Sequence, residues 1–169
     1  MSCYCEENAY HLIDALSCVG GVRVRVGFIS NSNKSVLLFH QQASQYSHPF
    51  PVLWDYHVIA VVEAHDSEYI IDLDTKLDRV SNARDYLNLT FSPHTPHQYR
   101  AFINLTPAHS FLQSFASDRR HMLTNKGTYS SPPPPWKCIR GHLASLPHNL
   151  DIWIEGANED SERISPLYE

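Results

Sequence analysis

The stretch Trp54-Asp55-Tyr56-His57-Val58-Ile59-Ala60-Val61-Val62-Glu63-Ala64-His65-Asp66-Ser67-Glu68-Tyr69-Ile70-Ile71-Asp72-Leu73-Asp74-Thr75 decides how this chain folds. Two apolar, β-branched runs, Trp54 to Val62 and Tyr69 to Leu73, flank the polar Glu63 to Glu68, and the arrangement predicts an antiparallel hairpin. Directly opposed residues of a hairpin point to one face, so the centre of the turn decides which carboxylate meets His57. A turn centred between Ala64 and His65, inside a connection from Glu63 to Asp66, sets His57 opposite Asp72. A turn centred between His65 and Asp66 sets it opposite Asp74, two residues on and therefore on the same face. Spacing alone leaves the two aspartates as alternatives.

On the N-terminal side, Ala9, Leu12, Ile13 and Leu16 recur at i, i+3, i+4 and i+7, which predicts an amphipathic helix that starts just behind Cys5 and ends before Gly20-Gly21. Val22, Val24 and Val26 alternate with Arg23 and Arg25 ahead of Phe28-Ile29, a strand pattern, and Val36 to Phe39 predicts a second short strand. His40 to Pro51 is aperiodic and reads as a surface loop. On the C-terminal side a strand is expected over Tyr99 to Leu105. Thr106 then reads as an N-cap with Pro107 at the first helical position, because Ala108, Phe111, Leu112 and Phe115 again follow helical spacing. Past Ser117 the chain turns polar and runs through Pro132-Pro133-Pro134-Pro135-Trp136. It ends in an acidic, weakly patterned segment, residues 149–169, expected to be a mobile tail.

The chain has 169 residues, 43% of them hydrophobic, which suits a single catalytic domain over residues 1–169 with a core large enough to need no disulfide or metal. Eighteen acidic residues against 13 basic ones, with no Lys or Arg run, give a net charge of -5 and no footprint for nucleic acid or an anionic membrane. The longest apolar stretches, Val36 to Phe39 and Val58 to Val62, fall far short of the roughly 20 residues that span a bilayer. The first residues lack the basic and apolar regions of a signal peptide, so the expected compartments are cytosol and nucleus, with the four cysteines as thiols. Cys3, Cys18 and Cys138 form no Cys-x-x-Cys pair and no zinc spacing with histidine, so no metal is expected.

Cys5 at a helix start, His57 on one strand and Asp72 on the next supply the residue types of a nucleophilic triad. Such chemistry needs a thiolate, an imidazole to take and return its proton, and a carboxylate to fix the imidazole's tautomer. The helix N-terminus favours the thiolate, whereas Glu6 and Glu7 oppose it. That chain order is the order of papain-like and transglutaminase-like Cys-His-Asp enzymes. The implied fold is α+β, an α/β sandwich with a central antiparallel sheet, the Cys5 helix on one side and the second helix supporting the other. Trp54, Tyr56 and Val58 alternate and are expected to pack inward, with Trp54 at the site rim. Asp118-Arg119-Arg120 reads as a solvated, capped helix end, and the proline run as a rigid connector.

Several blocks occur in order: Cys3-Tyr4-Cys5-Glu6-Glu7-Asn8, Phe28-Ile29-Ser30-Asn31, Gln41-Gln42-Ala43, Trp54-Asp55-Tyr56-His57-Val58, Asp72-Leu73-Asp74-Thr75, Phe115-Ala116-Ser117-Asp118-Arg119 and the prolines. Together they resemble the protein N-terminal glutamine amidohydrolase family. The resemblance implies Cys5 as nucleophile, His57 as base and Asp72, rather than Asp74, as the orienting carboxylate. It implies a hydrolase that converts an N-terminal glutamine of a polypeptide to glutamate with release of ammonia, in the arginine branch of the N-degron pathway, as a monomer without cofactor. Glu6, Trp54 and Asp55 are the candidate substrate contacts, with Glu6, Asp55 or a backbone carbonyl receiving the α-ammonium. Two departures are expected to matter. Cys5 lies only four residues from Met1, and the resemblance fades past Cys138, which predicts an uncovered apolar area near Phe111 or Phe115 and reduced stability. The contrasting reading is an inactive N-terminal-glutamine-binding protein or a polyproline-bearing interaction protein.

Overall fold

A computed structural model describes residues 3–46 and 50–166. In chain order the elements are α1 (Cys5–Ser17), β1 (Arg23–Ser30), β2 (Val36–Leu38), β3 (Val52–Trp54), β4 (His57–Ala64), β5 (Ser67–Ile71), β6 (Val80–Asn82), α2 (Ala83–Thr90), β7 (Phe102–Pro107), α3 (Ala108–Ser114), β8 (Ala116–Ser117), β9 (Ile139–Arg140), α4 (Leu150–Glu155) and β10 (Glu162–Ile164). Six of the strands form an antiparallel sheet in the order β10-β7-β1-β4-β5-β6. The fold is thus mixed α and β around a central antiparallel sheet. Among the described residues no helix is long and apolar enough to cross a membrane.

The middle of this sheet is buried on both faces, which is why Val58 to Val62 reads as a continuous apolar run rather than an alternating one. Val24, Val26, Phe28, Val58, Ala60 and Val62 face one core, filled by Ala9 and Ile13 of α1, Phe111 of α3 and Trp153 of α4. Ile29, Ile59, Val61, Ile70 and Ile103 face the other, filled by Ala83 and Tyr86 of α2. The helix expected on the far side, α3, therefore shares the face of α1. The far side is covered by α2, a helix that Asn82 caps by accepting a hydrogen bond from Arg84 N at 3.0 Å. Strand β7 runs on through Pro107, so Thr106 does not cap α3, and its hydroxyl donates to Asn158 Oδ1 at 3.3 Å instead.

The long strand expected from Trp54 is interrupted. β3 pairs with β2 in a separate two-stranded sheet, and Asp55, which accepts from Tyr56 N at 3.0 Å, turns the chain into β4. Of the loop expected from His40 to Pro51, residues 47–49 lie outside the described residues, and Gln41 makes an isolated bridge to Thr75. The β4–β5 hairpin pairs Ala64 with Ser67. Its turn is centred between His65 and Asp66, both left-handed at φ 50° and 60°, the pattern of a type I′ turn. The register placing His57 directly opposite Asp72 is thereby corrected, and Asp72 lies opposite Ile59.

The segment from Asn149, expected to be an unpatterned tail, forms α4 and β10 through residue 164, and residues 167–169 lie outside the described residues. Leu150, Trp153 and Ile154 are buried in the core with Phe111 and Phe115, so the apolar area expected to be uncovered near those rings is filled. Asn104 Nδ2 donates to Ile154 O at 2.8 Å and ties α4 to β7. Gly156 ends α4 at φ 65°, where a Cβ would come within 2.5 Å of the Asn104 amide.

A buried ion pair holds the start of α1 in place. Arg119 Nε and Nη2 donate to Glu7 Oε1 and Oε2, both at 2.8 Å, and Trp136 Nε1 donates to Glu7 Oε2 at 2.7 Å. Arg119 also donates to the carbonyls of Pro134 and Trp136, which straps the proline run across the helix start. Arg119 is 6% exposed, so the solvated helix end expected there is corrected to a buried clamp.

Two stability measurements follow from this packing. Arg119→Ala strands the fully buried Glu7 carboxylate and is expected to cost about 3–5 kcal/mol, with Glu7→Gln/Arg119→Met costing less than Arg119→Ala alone. Urea denaturation reads both, and a loss below about 1 kcal/mol for Arg119→Ala would contradict the clamp. Replacing His65-Asp66 by Asn-Gly, which takes left-handed backbone more readily, is expected to stabilise by about 1 kcal/mol, a Tm rise of about 2–4 °C.

Candidate active site

The amides of the first turn of a helix lack helical acceptors, and α1 begins at Cys5 itself. Its N-cap, Tyr4, makes no side-chain cap, and the Tyr4 hydroxyl instead donates to Ser131 O at 3.1 Å. Cys5 lies 8% exposed in the wall of a cavity of about 300 Å³, shared with Trp54, Tyr56, Asp74, His121 and His148. Burial pushes the Cys5 thiol well above the usual thiol range, and the Glu6 and Asp74 charges add to this, while a backbone hydrogen bond from Val58 works against it. Burial thus favours the neutral thiol over the thiolate.

The adjoining residue of β4, His57, is fully buried. Its Nε2 lies 2.9 Å from Asp72 Oδ1. The pair meets diagonally across the hairpin: Asp72 follows the last paired residue of β5 and shares the face of Ile59 and His57. Four donors converge on Asp72, for Asp74 N reaches Oδ1 at 2.9 Å, while Tyr86 Oη and Gln41 Nε2 reach Oδ2 at 2.7 and 3.3 Å. Burial alone would raise the Asp72 carboxyl. The His57 charge and hydrogen bond, with the donors from Asp74 and Tyr86, outweigh it and bring the pKa down to about 2. An ionised carboxylate only accepts, so Nε2 carries the proton and Nδ1 is left as the lone-pair nitrogen. Nδ1 is buried and has no hydrogen-bond partner. Burial lowers the His57 pKa, but the Asp72 charge and hydrogen bond more than offset it and the net shift is upward. Trp54 stacks on the imidazole with ring centroids 5.4 Å apart and 25° between planes.

Glu6 is fully buried behind the cavity wall. Its Oε2 accepts from the Tyr56 hydroxyl at 3.0 Å and lies 3.8 Å from Cys5 Sγ, whereas Oε1 receives no hydrogen bond, although His121 Nε2 is 3.3 Å away. A buried carboxylate oxygen without a donor calls for a cationic or N–H partner. His121 stacks on His148, centroids 5.5 Å apart, and His148 Nδ1 faces Asp118 Oδ1 at 3.4 Å.

Of the residues singled out in the sequence, Cys5, Trp54 and Asp55 line one cavity, His57 and Asp72 form a hydrogen-bonded pair, and Glu6 sits behind the wall formed by Cys5 and Tyr56. Asp55 is exposed at the rim, where its carboxylate accepts from Tyr56 N. The sequence reading did not find the roles of Gln41 and Tyr86, which hold Asp72 from distant segments, nor His121 and His148. Only the position of Gln41 in a quoted block marked it. His57, Asp72 and Asp74 bring three potential ligand atoms within 4.8 Å of one another, yet His57 Nε2 and Asp72 Oδ1 are already bonded to each other.

Compared with known families, residues 1–168 match the one described as N-terminal glutamine amidase. A protein N-terminal glutamine amidohydrolase of Arabidopsis thaliana is 39% identical over 169 residues, covering 94% of this chain and 75% of that protein. One from Caenorhabditis elegans is 35% identical over 148 residues, 85% of this chain and 79% of its own. The human protein of that name is 37% identical over 144 residues, 82% and 69% of the two chains. On a match that runs over nearly its whole length, the chain belongs to the N-terminal glutamine amidase family.

Proposed function

We propose that this chain hydrolyses the side-chain amide of a glutamine at a polypeptide N-terminus, giving glutamate and ammonia, with Cys5 as nucleophile, His57 as base and Asp72 as the group that orients it. Family membership supports the reaction. The observation that carries the roles is the buried His57–Asp72 pair, whose unpartnered Nδ1 belongs to the residue next to Val58, the backbone partner of Cys5. The nucleophile helix packed on an antiparallel sheet, with His on one strand and Asp just past the end of the next, supports a papain-like or transglutaminase-like ancestry. The resemblance of the sequence blocks supports a role for the proposed reaction in the arginine branch of the N-degron pathway, and cytosol and nucleus are the compartments proposed for it.

Burial favours the neutral thiol, so the thiolate forms as its proton passes to His57 Nδ1 during attack. Sulfur bonds to the side-chain carbonyl carbon and the displaced electron pair moves to oxygen. The amide of Cys5, at the positive end of α1, is the donor we assign to that charge. On collapse the C–N bond breaks, the nitrogen takes the proton from the imidazolium and leaves as ammonia. Water then attacks the thioester with His57 again as base, the C–S bond breaks, and the thiol recovers its proton. The exposed Asp55 carboxylate at the cavity rim receives the substrate's α-ammonium.

Three kinetic outcomes are expected. Cys5→Ser loses ammonia release from a Gln-initiated peptide and Cys3→Ser keeps most of it; the reverse result would move the nucleophile to Cys3. The base must be unprotonated and its pKa is raised, so the rate falls with acid through a limb that lies above pH 6.5. Asp72→Asn removes the cause of that rise. It moves the limb downward and lowers kcat on the order of 10⁴-fold, and a limb that stays in place with kcat within tenfold would exclude Asp72 as the orienting group. Asp55→Asn raises KM by about tenfold or more for the free-amine peptide but not for its acetylated form. An equal effect on both peptides would place the α-ammonium elsewhere.

A further inference from the structure

The backbone of Asp74 is held on both sides. Its N–H donates to Asp72 Oδ1 at 2.9 Å, and its carbonyl accepts from Gln42 N at 2.7 Å. The side chain is half-buried and serves neither bond. It lines the cavity that contains Cys5, and also a neighbouring cleft bordered by Asn8, His11, Arg79 and Trp136. One of its carboxylate oxygens lies within 4.8 Å of a ring nitrogen of His57. Asp74 thus places an acceptor-only group next to the thiol and next to the imidazole that hands over the proton.

Resting on the reaction proposed above, we infer that the Asp74 carboxylate is the amide-selecting residue of this site: it accepts an N–H of the substrate's carboxamide NH2 and rejects the carboxylate that the reaction produces. Substrate and product differ at one position, where two N–H donors give way to a charged oxygen that only accepts. A fixed carboxylate at that position discriminates between them with opposite signs. It draws the NH2 toward the imidazole that must protonate it, which turns the carbonyl oxygen toward the start of α1. As sulfur adds, the C–N bond breaks and the nitrogen gains the His57 proton, the departing ammonia stays beside an anion. Once water has replaced sulfur, the new carboxylate faces Asp74 across the cavity and is expelled by like charge.

Asp74→Asn tests this, because both backbone bonds of residue 74 survive the change. Three measurements are compared with the wild type: hydrolysis of a Gln-initiated peptide, hydrolysis of the same peptide carrying a freshly prepared γ-methyl ester of glutamate in place of Gln, and inhibition by the Glu-initiated product. The ester keeps the reacting carbonyl but offers no N–H on its leaving group. Asp74→Asn is expected to lower the ratio of kcat/KM for the amide to that for the ester about tenfold or more, whatever change the lost charge makes to both, and to tighten product inhibition about tenfold. Equal losses on amide and ester with unchanged product inhibition would overturn the inference and leave Asp74 as a support for Asp72. If the wild-type chain releases no ammonia from the Gln-initiated peptide, the functional reading falls first and this inference with it.

Discussion

Asp72 is a charge kept where water does not reach it, and the arrangement of the site follows from how that charge is satisfied. Its two oxygens take four donors from four parts of the chain: the imidazole of β4, the amide of Asp74, the Tyr86 hydroxyl of α2 and the Gln41 amide. An isolated buried carboxylate would be strongly unfavourable, whereas one saturated with donors stays ionised far below neutral pH. That ionisation keeps the proton on His57 Nε2 and leaves Nδ1 as the lone-pair nitrogen, the base of the proposed reaction. The same bonds require β5 to leave the ladder after Ile71, since the aspartate must turn diagonally toward His57.

The position of Cys5, the proposed nucleophile, depends on a second buried carboxylate. Glu7 is held by the Arg119 fork and the Trp136 indole, and the strap of residues from Arg119 to Trp136 closes over the first turn of α1. The helix is thus fixed at its start by polar bonds and along its length by Ala9 and Ile13 against Val58, Ala60 and Val62. A shift of α1 along its axis would move Cys5 relative to β4, so the packing of the core and the geometry of the thiol are one constraint. Glu6, one residue away, accepts from the Tyr56 hydroxyl and faces His121 behind the wall of the same cavity.

Much of this was legible in the residues. Helical spacing located α1 and Cys5 at its start, and the alternation of Val22 to Val26 gave β1. The apolar runs on either side of Glu63 gave the hairpin. Its register was not legible, because His65-Asp66 adopts a turn that Asn-Gly would signal, and either register puts both aspartates on the face of His57. Arg119 looked solvated because a buried charge and an exposed one are identical in sequence; only the partner, 112 positions away at Glu7, distinguishes them. Helix α4 was missed since six residues give fewer than two turns of periodicity, too little to separate from an irregular segment. Tyr86 lay in a stretch whose N-cap, Asn82, was a readable signal that the apolar pattern alone did not raise.

The central claim is that the sulfur of Cys5, deprotonated by His57, carries the acyl group of the substrate's glutamine side chain. The most direct measurement is acid quenching of the protein during turnover of a Gln-initiated peptide, followed by mass spectrometry of the intact chain and its proteolytic fragments. The account predicts a transient adduct equal to the peptide less ammonia, located on the fragment containing Cys5, absent in Cys5→Ser and retained in Cys3→Ser. Ammonia release with no adduct, or an adduct on Cys3, would contradict it.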